Sequence, residues 1–387
     1  MSNVLTDLAA DIYKAADIVG RELVGVIPSV TINAGSEGAA FGDTVRAAFT
    51  RTPTLNASYT PAMTIPEGDD QTIDNKTMTI DKVANVQIPW TGEDIKHVQN
   101  GAGYETIYGD QVAQAMRTIT NAIETHTALT VYQGASRAFG AAGTTPFGSD
   151  FDSIAEVRQI LADNGMPMDG QTTLALNTTA GTKLRNLAQL QKANEAASDQ
   201  LLRRGTLLDL QGVMLKESAG IAAHTKGTAA SALVNGALAI GATSIVFDTS
   251  TPGATGFKVG DVITFAADSV NKYIVTGGTT LTGAAGTITI AGPGLRTAIA
   301  DNNAITVGAS YTGNIAFHRA STEIVVRPPA QPFGGDAAVD RMTVQDPFSG
   351  LVYEIAVYKG YGKSMIDVTT FYAAKVWKGD FAAVLLG

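Results

Sequence analysis

Three short runs decide the fold class of this chain: Ser244-Ile245-Val246-Phe247-Asp248, Asp261-Val262-Ile263-Thr264-Phe265 and Gly286-Thr287-Ile288-Thr289-Ile290. Each run is rich in β-branched residues and lies between glycine-containing turns, which is the pattern of short strands. The sequence on either side mixes helical and strand patterns instead. We therefore predict a β-module at residues 223–314, inserted into an α+β host whose own fold is discontinuous in the sequence.

The composition limits the class of protein. A chain of 387 residues is long enough to bury a full core and to form two or three domains. It has no cysteine, which excludes disulfides, thiolate zinc sites and cysteine nucleophiles. Its net charge of −9 argues against a basic surface for nucleic acid. No apolar run approaches the ~20 residues of a membrane-spanning helix, and aspartates interrupt the region where a signal peptide would be apolar, so we expect a protein that acts or assembles in a cytoplasm.

Helical periodicity is strongest at two places in the host. Apolar residues recur at three- and four-residue spacings over residues 3–24, which predicts an amphipathic helix that must dock on its own domain or on a neighbouring subunit. A second stripe runs without proline over residues 104–135 and predicts a structural helix about 48 Å long. Further helices are predicted at 152–164 and 180–190, strands at 172–177, 321–327, 351–358 and 364–368, and a closing apolar run at 381–386.

Residues 44–92 are predicted to form a long β-arm. Residues 76–80 alternate polar and apolar side chains, whereas the opposing stretch, about 54–65, contains prolines that suit an edge or a loosely paired strand. The tip between them is acidic. An extended hairpin has little core of its own and needs a partner to lie on. The candidate inter-subunit contacts are residues of this arm and a locally basic pair beyond it: Glu67, Asp69, Asp70, Asp74, Lys76, Trp90, Arg203 and Arg204.

No catalytic or ligand-binding motif competes with this interpretation. The acidic tip lacks the spacing of an EF-hand, and the turns around Ser136 and Ser310 do not match the Gly-x-Ser-x-Gly hydrolase motif. The four histidines are scattered, and His126 falls on the apolar stripe of the long helix, where a packed side chain is expected. No phosphate-binding glycine loop follows a strand. We predict a protein that is not an enzyme and that has no catalytic residue, cofactor or metal.

The order of these elements resembles that of tailed-phage major capsid proteins of the Hong Kong-97 type. That order is an N-terminal helix, an extended hairpin arm, a long spine helix and a later α/β region. Several motifs are similar to those of the coat-protein subfamily of Salmonella-type short-tailed phages, which carries an insertion domain. They are Ile88-Pro89-Trp90-Thr91-Gly92-Glu93-Asp94, Val234-Asn235-Gly236-Ala237, Gly241-Ala242-Thr243-Ser244-Ile245, Gly260-Asp261-Val262-Ile263-Thr264-Phe265, Tyr273-Ile274-Val275-Thr276 and Asn314-Ile315-Ala316-Phe317-His318-Arg319-Ala320.

The resemblance implies a Hong Kong-97-type capsid fold with a small inserted β-barrel. Its parts would be an N-terminal arm (1–43), an extended loop over an adjacent subunit (44–95), a peripheral domain with the spine helix (96–168), an axial domain (169–222), the barrel (223–314) and a return to the axial and peripheral domains (315–387).

The resemblance also implies partners and a location. Subunits of such relatives form homo-pentamers and homo-hexamers of an icosahedral shell around packaged double-stranded DNA, which they do not bind sequence-specifically. A scaffolding protein and a portal protein assist assembly. The implied location is the virion capsid, with the host cytoplasm as the place of assembly, no membrane contact and no covalent crosslinks between subunits.

Two other functions remain open from the sequence. Another phage structural protein, such as a tail-tube or decoration protein, would usually be β-dominated and would not need a spine helix of this length. An enzyme with an inserted lid domain would need a nucleophile, a metal site or a phosphate site, and the motifs supply none of them. A self-assembling shell protein therefore accounts best for the pattern.

Overall fold

The computed structural model describes residues 22–50, 60–65, 73–99, 104–191, 209–251, 256–277, 284–346 and 349–387. These residues form both α-helices and β-strands. The helices are α1 (Gly92–Gln99), α2 (Tyr104–Gly134), α3 (Asp152–Asp163), α4 (Thr178–Arg185) and α5 (Ala188–Gln191). The strands are β1 (Thr31–Ala34), β2 (Thr44–Thr50), β3 (Ile73–Thr79), β4 (Lys82–Thr91), β5 (Arg137–Phe139), β6 (Thr172–Leu176), β7 (Met214–Glu217), β8 (Ala223–His224), β9 (Ala232–Val234), β10 (Ser244–Asp248), β11 (Val262–Phe265), β12 (Asp268–Gly277), β13 (Gly286–Ile290), β14 (Ala304–Val307), β15 (Tyr311–His318), β16 (Thr322–Arg327), β17 (Ala338–Gln345), β18 (Val352–Gly360), β19 (Lys363–Val376) and β20 (Ala382–Leu386). Short 3₁₀ helices lie at Ile27–Ser29, Arg319–Ser321 and Gly379–Phe381. The predicted α+β class is confirmed.

Helix α2 matches the predicted helix at 104–135 to within one residue. The prediction succeeds because an uninterrupted apolar stripe needs an apolar surface to cover it, and α2 packs on β4 and β19 of one sheet and on β15 and β20 of a second. Ile119, Ile123 and Val131 are buried on this face. The helix therefore crosses the strands that hold the host together.

Strand β19 organises a six-stranded sheet. Its first half pairs with β18 and its last part with β16, while β4 runs antiparallel along the opposite edge, from Lys82 opposite Tyr372 to Thr91 opposite Lys363. The full order is β1-β16-β19-β18-β17, with β4 beside β19. The strand predicted at 364–368 is longer in the structure because three partner strands stabilise it. Strand β18 immediately precedes it, whereas β4 and β16 are distant in sequence.

A second sheet of the host has the order β5-β20-β15-β6-β7. The closing apolar run forms β20, which is buried along its whole length between β15 and β5.

Helix α3 lies where it is predicted, and Gly165 follows it with a φ of 79°. The prediction of one continuous helix over residues 180–190 is wrong. The side chain of Asn177 accepts a hydrogen bond from the Ala180 N–H, so α4 begins earlier, and α5 follows as a separate short helix.

Six strands between residues 232 and 307 pair in a closed ring, in the order β9-β10-β13-β12-β11-β14 and back to β9. The ring is joined to the host because β12 also pairs with β5. Strand β15 crosses the predicted end of the module, since Asn314 is buried in mid-strand opposite Leu385. The ring has a separate apolar core that includes Val234, Phe247, Phe257, Ile263, Phe265 and Ile288.

The predicted N-terminal helix, 3–24, lies mostly outside the described residues. Residues 22–24 are not helical, and the chain continues into the 3₁₀ helix at Ile27–Ser29. This part of the prediction is wrong because the backbone N–H groups of Gly25, Val26 and Ile27 donate to the carboxylate of Glu124 instead of continuing a helix.

The predicted β-arm is present, but its partner strand differs from the predicted one. β3 pairs antiparallel with β2, from Thr79 opposite Thr44 to Ile73 opposite Thr50. The partner was expected at 54–65, yet residues 60–65 have no strand structure, and 51–59 lie outside the described residues. Pro61 cannot donate to a ladder, whereas every residue of β2 can.

Candidate functional site

The arm formed by β2 and β3 is attached to the host through a small apolar cluster at its root. Met78 and Ile80 are buried against Val325 and Ala373 of the six-stranded sheet and against Trp377, which directly follows β19. Burial of such side chains stabilises a contact by about 1.5–3 kcal/mol each. The root is therefore a fixed attachment point for the arm.

Large apolar side chains remain exposed on the described part of the arm. Met63 and Ile65 expose essentially their whole side chains. Phe41, just before β2, is also mostly exposed. Single exposed apolar residues are common on protein surfaces, but an arm with little core of its own gains stability when another surface buries them.

Two lysines bind the arm to the end of β19. The Nζ of Lys76 donates to the carbonyl oxygen of Trp377, and the Nζ of Lys375 donates to the carbonyl oxygen of Thr77. The Lys375 ammonium group also lies 5.4 Å from the centroid of the Trp377 ring. These bonds fix the register of the arm against the host and place two positive charges together.

A cleft with a volume of about 440 Å³ lies where the arm root, the end of α2, the end of β19 and the ring meet. The charged side chains that line it are those of Lys76 and Lys375, and no carboxylate of the described residues is part of the lining. The neighbouring Glu323 accepts hydrogen bonds from the Trp377 indole Nε1 at 2.8 Å and from Asn33 Nδ2 at 2.9 Å. We call this recess the lysine cleft, after the two lysines that line it.

A buried polar cluster joins the ring to the host. The fully buried carboxylate of Asp261 accepts hydrogen bonds from the backbone N–H groups of Gly227 at 2.9 Å and Lys258 at 2.8 Å. His224 Nε2 lies 2.9 Å from the same carboxylate. Asp261 immediately precedes β11, so these bonds link β11 to the segment around Gly227, where the chain enters the ring.

The spine helix α2 contributes Tyr132 to this junction. Its ring packs edge-on against the rings of His224 and Tyr311, with centroid distances of 5.8 and 6.3 Å. The hydroxyl group of Tyr311 donates to the carbonyl oxygen of Gly260 at 2.6 Å, and burial raises the pKa of Tyr311, so the phenol remains a donor. Gly260 has a φ of 94°, and a Cβ atom there would lie 2.9 Å from the Tyr132 ring, so the turn requires glycine.

Glu124 of α2 fixes the segment that leads to the N-terminus. Its carboxylate is 2% exposed and accepts the backbone N–H groups of Gly25 and Val26 at 2.8 Å and of Ile27 at 2.9 Å. The hydroxyl group of Ser218 donates to it at 2.6 Å. Four donors compensate the loss of water around this buried charge, which would otherwise be unfavourable.

An ion pair at the surface extends this attachment toward the N-terminus. Arg117 Nε donates to Glu22 Oε2 at 2.7 Å, and Asn121 Nδ2 donates to the same oxygen at 2.6 Å. The hydrogen bond from Arg117, and next the one from Asn121, lower the pKa of Glu22 to about 2. Residues 22–27 are thus attached to α2 through two acidic residues, Glu22 and Glu124.

The structure places the predicted contact residues in different environments. Lys76 lies in the lysine cleft, and the backbone of Asp74 lies in β3 opposite Phe49. Trp90 requires a correction: its side chain is 2% exposed and its indole Nε1 donates to Gln111 Oε1 at 2.9 Å, so it belongs to the chain's own core. The remaining predicted contacts lie outside the described residues: Glu67, Asp69, Asp70, Arg203 and Arg204.

The sequence analysis missed Glu124, Lys375 and Asp261. One signal could have indicated Glu124, because it directly follows Ile123, a member of the apolar stripe of α2. An acidic residue at the border of a buried stripe needs donors from another part of the chain. No local pattern distinguishes Lys375, which donates to Thr77, or Asp261, which accepts from Gly227 as well as from the nearby Lys258.

Three of the described histidines, His126, His224 and His318, are packed against other side chains, whereas His97 is exposed. His126 lies edge-on to Tyr372 with a centroid distance of 5.5 Å, and burial lowers the pKa of His126. His318 Nε2 lies 3.0 Å from Asp169 Oδ1. Within the described ranges, no group of three acidic or histidine side chains could hold a metal ion. In the same part of the chain, no helix is long and apolar enough to cross a membrane.

Comparison with known proteins identifies similar solved structures. No protein-family model matches the chain, and no curated protein matches it. A structure from Mycobacterium phage Che8 is 14% identical, covers 99% of this chain and 98% of its own, and has a TM-score of 0.52. The capsid structure of the cyanophage P-SCSP1u is 11% identical, covers 98% of this chain and 93% of its own, and has a TM-score of 0.52. At these identities the likeness shows a shared fold over nearly the full length of both chains.

Proposed function

We propose that this chain is the major capsid protein of a tailed bacteriophage, a structural protein whose copies assemble into a closed icosahedral shell around double-stranded DNA. The observation that carries the proposal is the fold shared with the cyanophage capsid over 98% of this chain and 93% of that one. Because one fold can host several functions, the surface chemistry must agree as well. It does, because association with a second copy would bury the apolar side chains that the arm exposes.

The parts of the structure have roles in this proposal. The arm of β2 and β3 is the extended loop that lies over an adjacent subunit, α2 is the spine helix of a Hong Kong-97-type fold, and the closed ring is the inserted barrel. Homo-pentamers and homo-hexamers form the shell, with a scaffolding protein and a portal protein as partners. The net charge of −9 limits nonspecific attraction to the DNA that enters the shell. The proposed contact residues are Glu67, Asp69, Asp70, Asp74, Lys76, Arg203 and Arg204.

Electron microscopy in negative stain tests the proposal. The chain is expressed with its phage neighbours, including a scaffolding protein, and the particles are imaged after purification. We expect closed shells of uniform diameter. Tubes would indicate a tail protein, and small discrete oligomers would indicate a different class of function; either outcome would contradict the proposal.

A further inference from the structure

We propose that the exposed turn Asn235-Gly236 of the ring is a site of spontaneous covalent modification, at which Asn235 loses ammonia and becomes aspartate or isoaspartate, with Asp301 as the proton acceptor. The substrate is the chain itself, and the co-reactant is water. The inference concerns a single chain and does not rest on the proposed function.

Asn-Gly pairs are the chemical starting point. In such a pair the backbone nitrogen of the glycine can attack the carboxamide carbon of the asparagine, because the glycine has no side chain to hinder the approach. The sequence contains three pairs: Asn100-Gly101, Asn164-Gly165 and Asn235-Gly236. The first pair lies outside the described residues. The other two have opposite environments, so the chain contains its own comparison.

The fold protects the pair at Asn164. Its Nδ2 donates to Ser136 Oγ at 3.0 Å and to the carbonyl oxygen of Asp380 at 2.8 Å, and these bonds hold the carboxamide in one orientation. The Gly165 N–H donates to the carbonyl oxygen of Ala162 at 2.9 Å. A peptide carbonyl group is a weak proton acceptor, so nothing at this site helps the glycine nitrogen to attack.

The pair at Asn235 is open to the reaction. Asn235 and Gly236 are both exposed, and within the described part of the chain no hydrogen bond holds the Asn235 carboxamide. The Gly236 N–H donates to Asp301 Oδ1 at 2.7 Å. A carboxylate accepts a proton more readily than a peptide carbonyl group does, and this distance is within the reach that a general base requires.

The reaction balances with water alone. Asp301 takes the proton of the Gly236 N–H as that nitrogen forms a bond to Cγ of Asn235. The Cγ–Nδ2 bond breaks, and the amide nitrogen leaves as ammonia with the proton that Asp301 returns. Water then opens the resulting succinimide at either carbonyl group. One opening gives aspartate, and the other gives isoaspartate, whose main chain is longer by a methylene group.

The turn connects neighbouring strands of the ring, so its modification has structural consequences. The Asn235 N–H donates to the carbonyl oxygen of Val246 in β10 at 2.9 Å, and the Asn302 N–H donates to that of Val234 in β9 at 2.8 Å. Either product adds a negative charge beside Asp301, where like charges repel. Isoaspartate also lengthens the backbone next to these bonds. Modification should therefore loosen this edge of the ring.

The test follows both described pairs in one sample. The purified, unassembled chain is incubated at neutral pH, either folded or in urea, and peptide mapping by mass spectrometry gives the rate of ammonia loss at each asparagine. In the folded protein we expect Asn235 to react about a hundredfold faster than Asn164. In urea the two rates should converge, because the contacts that distinguish the pairs are lost. Modified chains, separated by anion exchange, should show faster hydrogen exchange at Asn302.

Two variants isolate the role of the carboxylate. Asp301→Asn keeps an oxygen that can accept the Gly236 N–H but removes the base, and it should lower the rate at Asn235 by about tenfold or more. Asp340→Asn removes the same charge at another exposed position and should leave this rate unchanged. Neither variant should alter the rate at Asn164, which reports that the fold is intact.

Two results would overturn the inference. Equally slow reaction at Asn235 and Asn164 in the folded protein would show that the turn is protected. An equal or higher rate at Asn235 in Asp301→Asn would show that the carboxylate shields the glycine nitrogen instead of activating it. Both results come from the unassembled chain, so they leave the proposed function unaffected.

Discussion

Glu124 illustrates how one buried residue fixes a long segment of this chain. In Glu124→Gln the amide group replaces one carboxylate oxygen and faces backbone N–H groups, so at least one buried donor loses its acceptor. We expect the free energy of unfolding to fall by about 2–3 kcal/mol. Urea denaturation of the unassembled protein measures it, and hydrogen exchange at Gly25, Val26 and Ile27 should accelerate. Glu156→Gln, on the exposed face of α3, should change neither quantity.

Glu22 makes the attachment of this segment to α2 dependent on pH. Its pKa in the folded protein is about 2, below its ordinary value of 4.5, so the pairing with Arg117 and Asn121 stabilises the protein fully above pH 4.5. That stabilisation is lost as the pH falls from 4.5 toward 2. Pepsin cleavage beside Leu23, normalised to a free peptide, should therefore increase over this range. Glu22→Gln should give a flat normalised profile, and matching profiles in the two proteins would show that the pair does not hold the segment.

At the scale of elements, the closed ring should be removable without loss of the host. The backbone N–H of Lys226 lies 3.2 Å from Ser310 Oγ, so the two ends of the insertion are adjacent and a short linker can join them. A chain in which a Gly-Ser-Gly linker replaces residues 227–309 should keep its helical circular dichroism. Its free energy of unfolding should be lower by about 2–3 kcal/mol, because removal of the ring exposes part of the Tyr132 side chain.

The matched control for this excision removes residues 223–314 instead. That deletion cuts into β15 and takes away Asn314, which accepts the Asn177 N–H at 2.8 Å and donates to the Leu385 carbonyl oxygen at 3.2 Å. We expect the shorter host to lose its cooperative unfolding. Loss of helical signal in the 227–309 excision as well would show that the host cannot fold without the ring.

Elements were predictable from the sequence wherever the deciding interactions are local. The period of the apolar residues determined α2 and α3 to within one residue, and alternation located β3. The partner of β3 was not predictable, because pairing with β2 depends on a return of the chain after more than twenty residues rather than on any local pattern. The lysine cleft was hidden for the same reason: its two charges lie at positions 76 and 375.

At the scale of the whole molecule, assembly should leave the chains covalently separate. The ammonium group of Lys76 is bonded to the Trp377 carbonyl, and that of Lys82 lies at the surface 3.8 Å from Asp81. Both ammonium groups are therefore engaged within their own chain. Denatured particles should give one band of monomer size on a gel. Particles treated with an amine-reactive crosslinker serve as the positive control, and a ladder without that treatment would contradict the prediction.

Closure of the six-stranded ring has a consequence for particles in suspension. An open sheet displays a row of free backbone groups, and such edges bind to one another when many are held at high density. In the ring described here each strand is paired on both sides, so its backbone offers no template of that kind. If the ring faces outward on the proposed shell, a particle could carry a copy on every subunit and still not adhere to the next particle. The shape of this module would then contribute to colloidal stability, independently of the charge on its surface.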